Sequence, residues 1–332
     1  MTNNLPLIRL SAINPLLLEL KRRGVDVGPV LHGHGLPMDL PVTHDLFVAS
    51  DTVYELVEQC GELSKDRFFG FAVGSSLNLQ NWGPIASATE RATTVGELLT
   101  MFAVNAAEHS TATKFYVSTE GERSTFGFER IKKPAFAPGQ NDAFYMGFML
   151  RLLKHATRDH WDAASVLFTV ADPTCVPANI EIYRVAKGDK SGVQISFPSQ
   201  WLFERFEKSH FKLEMDNDSS DEIPRSLLDS LRTALRPHLH ESDLTADKAA
   251  KICGHDRRRL SRKLREQGTT LCKEIMALRA DKASRDLVDT DRPVAEIAEA
   301  VGFTDPTVFS RAFKNWTGQS PRDYRRTHKA PV

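Results

Sequence analysis

About the last hundred residues of this 332-residue chain carry one pattern twice. Ala250, Gly254, Leu260, Arg262, Leu264 and Gly268 are matched by Ala298, Gly302, Phe309, Arg311, Phe313 and Gly318. The offset is 48 residues up to the first glycine, 49 after it and 50 at the closing glycine. An offset that slips only at a turn and at a helix end is what two copies of a helix pair with different loops would leave. The pattern predicts two helix-turn-helix units, over about 245–266 and 293–316, in an all-α carboxy-terminal domain.

The physics of each copy agrees. Thr245 is placed to cap a helix whose apolar face is Ala249, Ala250, Ile252 and Cys253, with Leu244 outside it as a staple. Gly254 makes the turn, Asp256 caps the next helix, and Leu260 with Leu264 gives that helix a buried stripe. In the second copy Val294, Ile297, Ala298 and Val301 pack, Gly302-Phe303 turns, and Asp305-Pro306 starts the following helix. Phe309 and Phe313 bury, leaving Thr307, Ser310, Arg311 and Lys314 outside. Between the copies Leu271, Ile275, Leu278, Ala283 and Leu287 predict one long connecting helix. One such pair would equally be a plain αα-hairpin. Two pairs with arginines at matched positions, Arg262 and Arg311, favour a surface that reads DNA.

At these residues the chain resembles the AraC/XylS family of bacterial transcription regulators. The stretch Pro293 to Arg326, PVAEIAEAVGFTDPTVFSRAFKNWTGQSPRDYRR, follows the family signature, with its Gly-Phe turn, Phe-x-Arg-x-Phe helix, Trp-Thr-Gly stop and Pro-x-x-Tyr-Arg tail. It departs where the family usually starts a helix with Ser and this chain has Pro293. By family position, Arg258, Ser261 and Arg262 in the first unit and Thr307 and Arg311 in the second face base edges. Lys251, Arg257, Arg259 and Lys314 are left for phosphates. The resemblance further implies activation of transcription, with operator DNA, RNA polymerase, a small-molecule effector and a second copy of the chain as partners.

Charge divides the chain the same way. Residues 1–220 carry five more acidic than basic side chains, and residues 221–332 five more basic than acidic. The basic half is the half that must approach phosphates. An acidic, polar run, Glu214 to Glu222, has almost nothing to bury and reads as a linker. The expected domains are 1–210 for sensing and dimerisation, 211–222 as linker, and 223–332 for DNA binding, opening with a helix on Leu227, Leu228, Leu231 and Leu235 that Pro237 ends.

The amino-terminal half reads as α+β, a helical part followed by a ββαβαβ sheet part. Amphipathic runs over Pro15–Arg23, Thr52–Cys60 and Val95–Ala107 predict helices, the last with a capping box of Thr94 and Glu97. Alternation in Lys114–Val117 and Ser124–Glu129 across Glu120-Gly121-Glu122 predicts a hairpin. A helix near 139–158, a strand at Ser165–Val170, a helix near 177–186 and a strand at Gly192–Phe197 complete it. This half resembles the arabinose-binding-type amino-terminal module of the same family, through Asp66-Arg67-Phe68-Phe69-Gly70-Phe71 ending at Gly74, Trp82-Gly83-Pro84, and Thr93 to Leu99. The module's name does not show that arabinose is bound, and no effector residue is assigned.

Other residues invite functional readings that the pattern does not support. His32, His34 and His44 lack the spacing of a zinc site and read as loop residues, so no metal or cofactor is expected. Dense aromatics, among them Phe68, Phe69, Phe71, Trp82, Phe102, Phe115, Phe126, Phe128 and Tyr145, read chiefly as core, with some free to line a cavity. Cys60, Cys175, Cys253 and Cys272 show no paired spacing, and no apolar run spans a membrane or marks a signal peptide, so the reduced cytoplasm is the expected setting. No Gly-x-Ser-x-Gly, His-Glu-x-x-His or glycine-rich phosphate loop is present, and an enzyme is not expected. Two alternatives remain open. One is a regulator that answers to a protein partner or to its own concentration. The other is a DNA-repair methyltransferase fused to the same DNA-binding domain, which would need zinc-bound cysteines where only Cys60 and Cys175 stand.

Overall fold

Short apolar runs become strands and amphipathic runs become helices in a computed structural model that describes residues 5–36, 46–77, 82, 85, 88, 91–177, 184–205 and 226–328. The chain divides into two units, Met1–Pro224 and Arg225–Val332. The linker expected over 211–222 lies outside the described residues.

The amino-terminal unit opens with β1 (Leu7–Arg9), paired antiparallel with β2 (Phe47–Ala49). Helices α1 (Asn14–Arg22) and α2 (Gly28–Gly33) lie between them in sequence, and α3 (Ser50–Ser64), α4 (Phe69–Ser76) and α5 (Val95–Ala106) follow. The region read as helical therefore holds a strand at Phe47–Ala49, three residues too short to display a period of two. His32 lies in α2 and His34 caps its end, where a loop was expected; His44 is outside the described residues. Thr94 accepts from the Glu97 amide as expected, while the Glu97 carboxylate reaches back to the amide of Thr93 at 2.7 Å.

The second part is a sheet with one helix packed on it. The hairpin β3 (Thr113–Glu120) and β4 (Arg123–Arg130) is followed by α6 (Gly139–Thr157), β5 (Leu167–Val170), β6 (Arg184–Lys187) and β7 (Gly192–Pro198). Among the described residues these strands order β3-β4-β7-β5-β6, antiparallel except for the β5–β6 pair. The ββαβαβ reading is corrected at β6. The helix expected near 177–186 gives way to a strand at Arg184–Lys187, and residues 178–183 lie outside the described set. β6 shows no buried residue at all, so no apolar alternation marks it.

Along β4 the inward residues Ser124, Phe126, Phe128 and Arg130 alternate, and the phenylalanines join a core that includes Phe102, Phe148, Phe168 and Phe197. Each such ring buried contributes about 1.5–3 kcal/mol. Arg130 and Asp142 form a fully buried ion pair, and Asp142 also accepts from the Ala171 amide at 3.0 Å. Helices α4 and α6 pack backbone to backbone: a Cβ added to Gly70, Gly74 or Gly147 would overlap the carbonyl oxygen of Gln140, Phe144 or Phe71 respectively.

The carboxy-terminal unit is helical throughout its described residues. It comprises α7 (Leu227–Leu235), α8 (Ala246–Ile252), α9 (Arg257–Glu266), α10 (Leu271–Asp289), α11 (Val294–Ala300), α12 (Pro306–Thr317) and α13 (Pro321–His328). α10 packs against α7 and α8 on the side of the first helix pair and against α11, α12 and α13 on the side of the second. Ala283, Leu287, Ile297, Ala298, Val301, Phe309 and Phe313 form the second pair's core.

Candidate nucleic-acid interface

Two helices, α9 and α12, occupy equivalent places in the two pairs, and the same devices build both. Each follows a turn glycine with a left-handed backbone, Gly254 at φ 62° and Gly302 at φ 79°. Each starts on an aspartate. Asp256 accepts from the Arg259 amide at 3.0 Å, and Asp305 from the Thr307 amide at 2.7 Å, with Pro306 in the first helical turn. That amide bond holds the Asp305 carboxyl below its usual range. Each helix is anchored by a fully buried i, i+4 pair, Leu260 with Leu264 and Phe309 with Phe313.

The supporting helices differ at one end. Thr245 caps α8 by accepting from the Lys248 amide at 3.3 Å. Pro293 precedes α11 with φ −55° and ψ 145° and makes no capping bond.

Anchoring one stripe leaves the opposite stripe outside. Arg258, Arg259 and Arg262 are exposed on α9, and Ser261 is half-buried. Thr307, Arg311 and Lys314 are exposed on α12, and Lys251 at the end of α8. Arg257 is exposed too, but its guanidinium is held at 2.7 Å by Asp247 of α8. Sequence reading did not foresee this pairing, which joins residues ten apart across the turn. Nor did it single out Val308, half exposed at 51 % and one helical turn before Arg311 on the same face. Its i, i+3 spacing from Arg311 is the signal that would have found it.

Charge is uneven between the two helices. α9 carries six basic side chains, Arg257, Arg258, Arg259, Arg262, Lys263 and Arg265, against Glu266 alone, while α12 carries Arg311 and Lys314.

The cysteines of the amino-terminal unit have the opposite of an activated character. Burial pushes the Cys60 thiol up to about 12, and burial with the charges of Asp172 and Glu58 pushes Cys175 up to about 11. A reactive or metal-bound thiolate needs a lowered value. Among the described residues no helix is long and apolar enough to cross a membrane.

Comparison with known proteins gives matches along both units. A family model described as a helix-turn-helix domain matches residues 231–327, and one described as the arabinose-binding domain of AraC transcription regulator, N-terminal, matches residues 24–186. The chain is 33 % identical over 101 residues to the transcriptional activator NphR of Rhodococcus sp., covering 30 % of each chain. It is 39 % identical over 79 residues to the ornithine utilization regulator of Pseudomonas aeruginosa, covering 24 % of this chain and 23 % of that protein. These matches thus span less than a third of either relative's length. The crystal structure of the transcriptional regulator CdpR from Pseudomonas aeruginosa aligns over 95 % of this chain and 98 % of its own, at 18 % identity and a TM-score of 0.37.

Proposed function

The chain belongs to the AraC family of transcription regulators, and from that premise we propose that it is a sequence-specific DNA-binding activator whose amino-terminal unit senses a small molecule. In this reading α8 with α9 and α11 with α12 are two helix-turn-helix units. Their second helices enter successive major-groove segments on one face of the duplex, about one helical turn or roughly 34 Å apart. Arg258, Ser261, Arg262, Thr307 and Arg311 face base edges; Lys251, Arg257, Arg259 and Lys314 touch phosphates. RNA polymerase and a second copy of the chain complete the assembly. The name of NphR, a transcriptional activator, supports activation as the mode.

One observation carries the reading. Arg257, Arg258 and Arg259 crowd the amino-terminal turn of α9, all exposed. Cations are unfavourable there, because the helix dipole already places partial positive charge at that end. A phosphate docked beside the turn reverses the balance, since it would meet the charges of Arg257 and Arg259.

Separation of the units tests the proposal. Residues 223–332 expressed alone are expected to bind operator DNA, taken from a genome-wide map of bound sites. Loss of residues 1–210 is expected to weaken binding to paired sites and to abolish the response to inducer. A carboxy-terminal piece that is unfolded, or that still answers to inducer, would refute the division of labour.

A further inference from the structure

An aromatic cavity lies inside the amino-terminal unit, between β1, α3, α5, α6 and the β3–β4 hairpin. Trp82, Phe102, Phe115, Phe128 and Tyr145 form much of its wall, with ring centroids 4.8 to 6.1 Å apart. The room left for a molecule the size of water amounts to about 20 Å³. Its clear bore is narrow, about one water molecule across, so a bound ring must turn the half-buried side chains of Phe115 and Tyr145 aside.

Two polar groups on this wall are short of well-formed partners. The Tyr54 hydroxyl and the Asn141 amide nitrogen make no hydrogen bond of good geometry among the described residues, although Arg130 and Asp142 respectively lie close enough to interact with them, and their side chains belong to residues only 2 % and 7 % exposed. Buried donors are seldom left in this condition. The neighbouring charge is already cancelled. Arg130, its guanidinium 5.2 Å from the ring centre of Tyr54 and 5.1 Å from that of Phe128, is paired with Asp142. No Asp, Glu, Lys or Arg stands among the described lining residues.

We propose that this cavity is the effector site, and that the effector is a small, flat, uncharged molecule bearing a carbonyl-type oxygen. Its ring lies among the aromatic side chains, and its oxygen accepts from Asn141 Nδ2 and the Tyr54 hydroxyl. The proposal rests on the reading of the amino-terminal unit as the sensor. A free sugar presents a hydroxyl on nearly every carbon, whereas the polar side chains of this wall, among them His109, Ser110, Thr113 and Asn141, are interrupted by aromatic rings. A carboxylate would meet His109 but no Lys or Arg on the wall, Arg130 being held by Asp142.

Acetophenone, with benzoate and L-arabinose as comparators, probes the site in the full-length protein. Melting temperature and tryptophan fluorescence provide the readouts. Acetophenone is expected to raise the melting temperature and to quench fluorescence. Tyr54→Phe, which removes one hydroxyl and keeps the ring, is expected to weaken its binding about three- to tenfold. Ala106→Leu, which fills the cavity from α5, is expected to abolish it. Preference for benzoate or L-arabinose, still sensitive to Tyr54→Phe, would overturn the ligand class and leave the sensor reading intact. Acetophenone binding that ignores both substitutions would overturn the site. No binding of any of the three overturns the proposal, while the separated-unit experiment judges the sensor reading on its own.

Discussion

Arg279 fills the space beside Gly302 that any side chain at residue 302 would need. From the middle of α10 its guanidinium donates to the Glu241 carbonyl at 2.7 Å and lies 5.7 Å from the ring centre of Phe303. One buried cation thus ties the segment before the first helix pair to the turn of the second. Gly302 also has φ 79°, a conformation that costs a side chain about 1–2 kcal/mol. Gly302→Ala is expected to destabilise the carboxy-terminal unit by about 2–4 kcal/mol, read as a shift in its urea midpoint.

In the proposed reading Asp247 competes with DNA for Arg257, which it holds at 2.7 Å. The pair is exposed on both sides, so its loss costs under about 1 kcal/mol of stability. Asp247→Ala is therefore expected to leave folding nearly unchanged and to strengthen DNA binding. The slope of log affinity against log salt should steepen by up to about one phosphate contact. An unchanged slope would mean that Arg257 does not meet the backbone.

Arg262 and Arg311 are expected to read guanine. Either substitution by alanine should cost about 1–3 kcal/mol at one base position of the operator, measured by binding to a library of single-base variants. Arg259→Ala should instead weaken all sequences alike. If Arg311→Ala left both affinity and base preference intact, the assignment of α12 would fail.

The continuity of α10 can be tested at Lys282, which pairs with Asp286 at 3.2 Å on the helix surface. A proline there removes a backbone bond and clashes with the preceding turn, at a cost of about 3 kcal/mol or more. Lys282→Pro is expected to shorten the footprint to one half-site. A footprint of unchanged length would show that the spacing of the two readers is set otherwise.

Much of the carboxy-terminal unit was legible because its determinants are local. Thr245, Asp256 and Asp305 cap their helices by reaching two or three residues ahead, a distance that sequence displays directly. The long connector was equally visible, since its apolar residues recur at helical spacing through Leu287. What stayed hidden depends on distant partners. Gly70 and Gly74 stood inside a recognised motif, but the oxygens they make room for belong to Gln140 and Phe144, about seventy residues away in each case. The Arg130–Asp142 pair and the Tyr54–Asn141 end of the cavity are likewise assembled by the fold. Among the residues proposed to face DNA, exposure was readable from helical spacing, whereas the Asp247 clamp on Arg257 was not.

Glu58 makes a further case of chemistry created by packing. Its carboxylate accepts from the Gln140 amide at 2.8 Å at the start of α6. Burial nevertheless raises its pKa from 4.5 to about 7, with Asp142 and Asp172 adding to the rise. Between these values the folded protein keeps the proton that the unfolded chain releases, so stability falls as pH rises through that window. Glu58→Gln keeps an acceptor for the Gln140 amide and removes the titration. It is expected to be more stable than the parent above pH 7 by about 1–2 kcal/mol, allowing for partial exposure, and equal to it near pH 4. Melting curves across that range check the sign.

The glycine seam between α4 and α6 bears on how such a sensor can move. Side chains in contact slide past one another by exchanging rotamers, whereas peptide planes in contact have no such freedom. The two helices must therefore travel together, as one lever, and Asn141 and Tyr145 ride on it. Compliance is left to β3, the edge strand, whose only strand neighbour among the described residues of that sheet is β4. A molecule that enters among the rings would thus push on the hairpin against a fixed beam, and its signal would leave the cavity through the strands.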